Sequence, residues 1–374
     1  MKFLIVTHVV HTQKGNDFFA YSPYVNEMNV WLRHVDSVTI IAPLKAEELI
    51  NLQGKYLSDN IHFIAVPQFS FINSKESIKA LFSIPIIIWK LFGAMYSADH
   101  IHLRCPGNMG LLGSLVQLFF PFKFKSAKYA GNWDPKSRQP LSYELQKFIL
   151  RNTFLTKRMQ VLVYGEWKNF TKNCKSFFTA TYSEKEIIPL QSKIWEDKIK
   201  FVFVGNLVKG KQPLKAIQIV ENLIPHYPNV ELSIYGDGPE RKVLESYINK
   251  ESLQMKVFFK GAQDKETLKQ IYQNSHFLIL FSKSEGWPKV VAESMFWGCL
   301  PIVSSVSCLP NMLDYEKRGI VLKDSFVENN KLINILIEDK SEYEKRSIAA
   351  ASWSRNFTIE KFEEELIKIL QSCE

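Results

Sequence analysis

The chain has 374 residues, 46% of them hydrophobic and 23% charged. It is too apolar to be disordered and too long for one ordinary core, so two domains of about 180 residues are expected. The net charge of +9 is uneven: residues 1–180 hold 21 Lys and Arg against 11 Asp and Glu, and residues 181–374 hold 26 against 27. This basic first half could meet an anionic membrane or a phosphorylated substrate; no nucleic-acid-binding module is recognisable, so no nucleic-acid partner is expected. Five cysteines, Cys105, Cys174, Cys299, Cys308 and Cys373, are odd in number and lack C-x-x-C spacing, which argues for reduced thiols and against a disulfide framework or a zinc site.

In chain order, Phe3 to His8 turns polar too soon for a signal segment and reads as a buried first strand. Val38 to Pro43, His62 to Pro67, Ile101 to Arg104, Lys128 to Gly131 and Val161 to Tyr164 are further apolar runs of the kind parallel strands make. Within Ile78 to Ala98, Lys79, Pro85 and Lys90 spoil a membrane span of about 20 apolar residues. Leu141, Leu145, Phe148 and Ile149 share one face of a helix over Pro140 to Arg151. The chain turns polar near Tyr182 to Ile199, and a second α/β series follows. Its strands are Lys200 to Gly205, Val230 to Tyr235, Lys256 to Lys260, Phe277 to Phe281 and Pro301 to Ser304. Helices are expected from Pro239, over Lys265 to Gln273 and over Pro288 to Trp297, then over Lys340 to Ser354 and Ile359 to Gln371. The expected division is a first domain over 1–190, a second over 191–350, and a C-terminal helix within 351–374 that can cross back to the first.

Ser284-Glu285-Gly286-Trp287-Pro288-Lys289-Val290-Val291-Ala292-Glu293-Ser294 follows a strand and opens a helix. A helix start accepts anions, because free N–H groups and the dipole point at them. Pro288 removes one such donor, though proline is comfortable in a first turn. With Gly298-Cys299-Leu300-Pro301 behind it, this segment resembles the E-x7-E signature of retaining GT-B glycosyltransferases of family four. Val204-Gly205-Asn206-Leu207-Val208-Lys209-Gly210-Lys211 is similar to the family's opening strand and loop, with Asn206 in place of an arginine. Gly236-Asp237-Gly238-Pro239 and the run ending at Gly261 resemble its later loops. The resemblance is close over about 200 to 310 and only in outline before that.

The resemblance implies an α/β GT-B fold of two facing Rossmann-like domains with parallel sheets and an interdomain cleft. It implies sugar transfer from a nucleoside-diphosphate donor to a glycan or lipid-linked glycan, with retention, without metal or cofactor. Glu285, Lys211 and Arg104 would be catalytic. Gly205, Asn206, Lys209, Gly236, Gly238, Gly261, Gly286, Trp287, Pro288, Lys289 and Glu293 would bind the donor. Gly15, His102, Trp133 and Asp134 would bind the acceptor. A structural ion pair is the alternative for Arg104, and a turn with a tryptophan anchor is the alternative for 131–135. An epimerase of the same fold and a non-catalytic sugar-nucleotide-binding subunit stay open as rival functions. Phe and Lys residues in Ile78 to Phe92 and Leu111 to Lys128 suit either a peripheral membrane face or core helices ending in a lysine-flanked strand. A cytoplasmic location is expected, at the inner membrane face if that contact is made.

Overall fold

The computed structural model describes residues 1–45, 53–69, 74–168 and 170–371, with 74–81 described by their backbone. Cys373 lies outside the described residues, and so do the side chains of 78–81 in the stretch weighed for a membrane face. The chain divides into two compact units, Met1–Thr179 with Lys361–Glu374, and Ala180–Glu360.

The first unit runs β1 (Lys2–Val6), β2 (His11–Lys14), β3 (Asp17–Tyr21), α1 (Ser22–Leu32), β4 (Ser37–Lys45), β5 (Gln53–Lys55), β6 (Ile61–Val66) and α2 (Ser74–Ser97). It continues with β7 (His100–Cys105), α3 (Asn108–Val116), β8 (Phe124–Tyr129), α4 (Leu141–Arg151), β9 (Met159–Tyr164) and β10 (Cys174–Phe177). The parallel part is ordered β6-β4-β1-β7-β8-β9-β10, and β2, β3 and β5 extend β4 as a smaller, partly antiparallel arm. The central strands, such as Phe3-Leu4-Ile5-Val6, are buried on both faces, as helices packed above and below a parallel sheet require.

The second unit holds β11 (Ile199–Val204), α5 (Pro213–Leu223), β12 (Val230–Tyr235), α6 (Arg241–Lys250), β13 (Val257–Phe259), α7 (Lys265–Asn274), β14 (Phe277–Leu280) and α8 (Lys289–Phe296). It ends with β15 (Leu300–Ser304), α9 (Leu309–Met312), β16 (Ile320–Leu322), α10 (Phe326–Glu338) and α11 (Lys340–Ser354). All strand pairs are parallel, in the order β13-β12-β11-β14-β15-β16. That is the doubly wound arrangement in which the strand order reverses between the first and fourth strands. A last helix, α12 (Ile359–Gln371), starts in this unit and counts with the first from Lys361 on.

Three expectations change. Residues 180–190 group with the second unit, since Tyr182 packs on Phe296 and Trp297 and Glu186 pairs with Lys265 and Lys269. The strand expected at Lys128 to Gly131 begins at Phe124. It includes two inward lysines: Lys125 Nζ donates to the Phe120 carbonyl (2.8 Å), and Lys128 Nζ meets Glu27 Oε1 (2.9 Å). Each bond offsets the cost of burying an ammonium. Gly15, expected only as an acceptor residue, stands at the tip of the β2–β3 hairpin at φ +61, as a two-residue turn with leading glycine allows. No helix among the described residues is long and apolar enough to cross a membrane.

Candidate functional site

In the second unit the strand order reverses between β11 and β14, and ligands of doubly wound sheets settle beyond the carboxyl ends at such a point. The loops leaving these strands are joined: Lys283 N–H donates to the Gly210 carbonyl (2.9 Å). Lys211 Nζ, at the end of a short turn after β11, meets Glu285 Oε1 at 2.5 Å. Glu285 is nearly buried and Lys211 about a third exposed. Ser307 Oγ accepts the Glu285 N–H (3.0 Å), fixing the backbone beneath the carboxylate. Exposed Asn206 and Lys209 stand on the same β11 loop.

The glycines hold the neighbouring loops flush. A side chain at Gly236 would overlap the Gly205 carbonyl oxygen, and a Cβ at Gly238 would stand 2.5 Å from the Leu207 carbonyl oxygen. Gly205 N–H donates to Tyr235 and Gly236 N–H to Gly261, both at 2.9 Å. The loops after β11, β12 and β13 thus form one continuous backbone surface.

Pro288 is the N-cap of α8 and offers no capping side chain; helical residues begin at Lys289. The missing proline N–H therefore falls outside the first turn, and the N–H groups of Lys289 and Val290 head the helix dipole. Gly286 is held through its carbonyl by the Cys308 thiol (3.2 Å). Trp287 stacks on Trp353 (6.2 Å between centroids) and meets Phe357 edge-on (5.5 Å), so its ring anchors the loop. Glu293 is taken up internally: Thr181 Oγ1 donates to one carboxylate oxygen (2.8 Å) and Tyr272 OH to the other (3.4 Å). Burial raises its pKa, against the Thr181 hydrogen bond and the Lys289 charge.

The residues expected to meet the acceptor all lie in the first unit. His102 is fully buried, its ring against Phe3 (5.8 Å) and Trp31 (4.7 Å), with Nδ1 bonded to Ser126 Oγ (2.9 Å). Residues 100, 102 and 104 share one face of β7, and that face packs on α1. Arg104 accordingly pairs with Glu27 of α1 (3.1 Å), which also holds Lys128. This is the ion-pair alternative. Trp133 is a buried anchor set edge-on to Tyr129 (4.9 Å), and Asp134 closes a turn by accepting the Lys136 N–H (2.8 Å). Gly15 sits at a hairpin tip with open space around it.

Sequence reasoning missed His8 and Gly107. They follow β1 and β7, the two strands between which the first sheet reverses, and a Cβ at Gly107 would come within 2.8 Å of the His8 ring. Burial and the Arg104 charge lower the His8 pKa. The signal available was position alone: each residue follows a strand that flanks a reversal of order. A groove of about 650 Å³ lined by Met1, Asp99 and Phe124 lies at the opposite, amino ends of β1, β7 and β8. Among the described residues, no three His, Cys, Asp or Glu gather as a metal site would require, and the described cysteines are free thiols.

Residues 184–353 match the family model of glycosyl transferases group 1. An uncharacterised glycosyltransferase of Methanocaldococcus jannaschii is 30% identical over 139 residues, 34% of this chain and 35% of that one. An alpha-1,4-N-acetyl-D-galactosaminyltransferase of Campylobacter jejuni, named for a glycan on PP-undecaprenol, is 25% identical over 54% of this chain and 56% of its own. The alignments thus span about a third and about half of these relatives. Anabaena HepE, solved with UDP-glucose, superposes over the full length of both chains with a TM-score of 0.70 at 13% identity. Residues 184–353, most of the second unit, are thus similar to glycosyl transferases group 1, on a chain with the GT-B fold.

Proposed function

We propose that the protein transfers a sugar from a nucleoside-diphosphate donor to a hydroxyl of a glycan or lipid-linked glycan, with retention of configuration and without a metal ion. The observation that carries this reading is the Lys211–Glu285 pair at the strand-order reversal, beside the start of α8. A diphosphate there draws the Lys211 ammonium toward itself, and the first N–H groups of α8 face its charge. Glu285, released from Lys211, accepts hydrogen bonds from sugar hydroxyls and fixes the anomeric carbon. The acceptor hydroxyl adds on the face from which the diphosphate leaves. The carbon–oxygen bond to the diphosphate breaks, and a diphosphate oxygen takes the acceptor's proton. Negative charge grows on that leaving group, so Lys211 stabilises the transition state more than the bound donor.

The UDP-glucose bound to the Anabaena structure and the PP-undecaprenol in the Campylobacter relative's name make a UDP-sugar and a lipid-linked glycan the first substrates to try. A thermal-shift panel of UDP, GDP, ADP and CMP with their sugars tests the donor site, because a ligand of the native state raises the midpoint by mass action. One nucleoside diphosphate should raise it equally with and without EDTA, and Lys211→Ala should abolish that rise while lowering transfer about 100-fold. No shift with any of them, or full transfer by Lys211→Ala, overturns the reading. Conversion of a sugar nucleotide without acceptor would mark an isomerase instead.

A further inference from the structure

Helix α2 presents two apolar faces where a surface helix needs one. At 3.6 residues per turn, Ile87, Leu91 and Met95 fall on one side and are fully buried in the first unit's core. On the opposite side Phe82, Ile86, Trp89, Phe92 and Tyr96 are exposed, Trp89 to 81%. Phe119 and Phe122 of the turn before β8 extend this face: Phe119 meets Phe92 (6.1 Å), and Phe122 is 80% exposed next to Lys123, whose Nζ donates to the Tyr96 carbonyl (3.0 Å). An aromatic surface of this continuity on a water-facing helix calls for a partner.

Charge identifies the partner. Between Glu76 and Asp134 the sequence has one acid, Asp99, and the Lys2 N–H already binds its carboxylate (2.7 Å). Lys90 and Lys123 flank the aromatic face, and exposed Arg158 joins them, donating to the Phe122 carbonyl (3.1 Å). Two copies of this chain meeting through the face would set these cations against one another. An anionic bilayer meets both features at once, with aromatic rings at the headgroup level and cations at the phosphates. We infer that the exposed face of α2, with Phe119 and Phe122, docks the first unit on an anionic lipid surface. The inference stands independently of the donor site.

Co-sedimentation of the full chain with vesicles of phosphatidylcholine, alone or mixed with phosphatidylglycerol, tests it. The chain should pellet with the mixed vesicles, less so as salt is raised. Trp89→Glu should lower its vesicle partition about tenfold, with an unchanged melting midpoint because the ring touches little in the fold. Arg158→Glu should weaken binding to the mixed vesicles. No pelleting with anionic vesicles, or equal pelleting of Trp89→Glu, overturns the inference. So does a dimer in solution that Trp89→Glu dissociates, which would give the face to a second copy. The nucleotide-induced shift of Trp89→Glu, read in parallel, reports the donor site separately.

Discussion

Lys125 is a cation held where water is scarce, donating to the Phe120 carbonyl from an almost fully buried position. Burial, then the Arg158 charge, lowers its pKa to about 8. Above pH 8 and up to the ordinary lysine value, the unfolded chain holds the proton that the folded one has released. This group therefore makes stability rise with pH across that window. Urea midpoints from pH 8 to 10 should climb less steeply in Lys125→Met; an unchanged slope would mean that the ammonium is better solvated than its burial indicates. The sequence around Lys125 suggested a lysine-flanked strand but not inward lysines, since nothing local announces the carbonyls that receive them. The same holds at Arg104 and His102, whose places depend on Glu27 and Trp31 of another element. Lys211 and Glu285 were legible because four motifs in order fix their surroundings, whereas one strand-end arginine fixes nothing.

Among elements, the central strands of both sheets were readable from sequence, because a parallel strand covered on both faces must be a continuous apolar run. The arm of β2, β3 and β5 was not, since its strands are short, mixed in polarity and only partly buried. Glycines behaved differently at different loops. Gly236 and Gly238 stand where loop backbones touch, while Gly15 only turns a hairpin. Gly236→Ala should part the loops after β11 and β12 and destabilise the chain by roughly 1–3 kcal/mol, the usual range for overpacking, with loss of the nucleotide-induced shift. Gly15→Ala should leave that shift intact. Thermal shift on both variants checks the contrast, and an undisturbed Gly236→Ala would show that the loop contact is slack.

At the scale of the whole chain, the first unit is completed by its last segment. Phe362 packs on Phe177 (5.5 Å) and Phe178 (5.9 Å) beneath the Lys128 ammonium, and Glu363 and Glu365 bind Arg33, His34 and Lys175. Phe362, Leu366, Ile369 and Leu370 are buried, worth roughly 6–12 kcal/mol as an upper bound. A chain ending at Glu360 should lose the first unit's melting transition or lower it sharply, while its nucleotide-induced shift persists; calorimetry would separate the two. The part of the first unit that leaves the ribosome first must wait, with Phe177 and Phe178 uncovered, until the second unit has been made, an interval in which an open apolar face invites aggregation. Met1 and Gln371 line one groove, so a short linker can join these two residues and the chain can be reopened between Glu360 and Lys361. Such a permutant makes both pieces of the first unit before the second begins, and should aggregate less during synthesis than the natural order of the same residues.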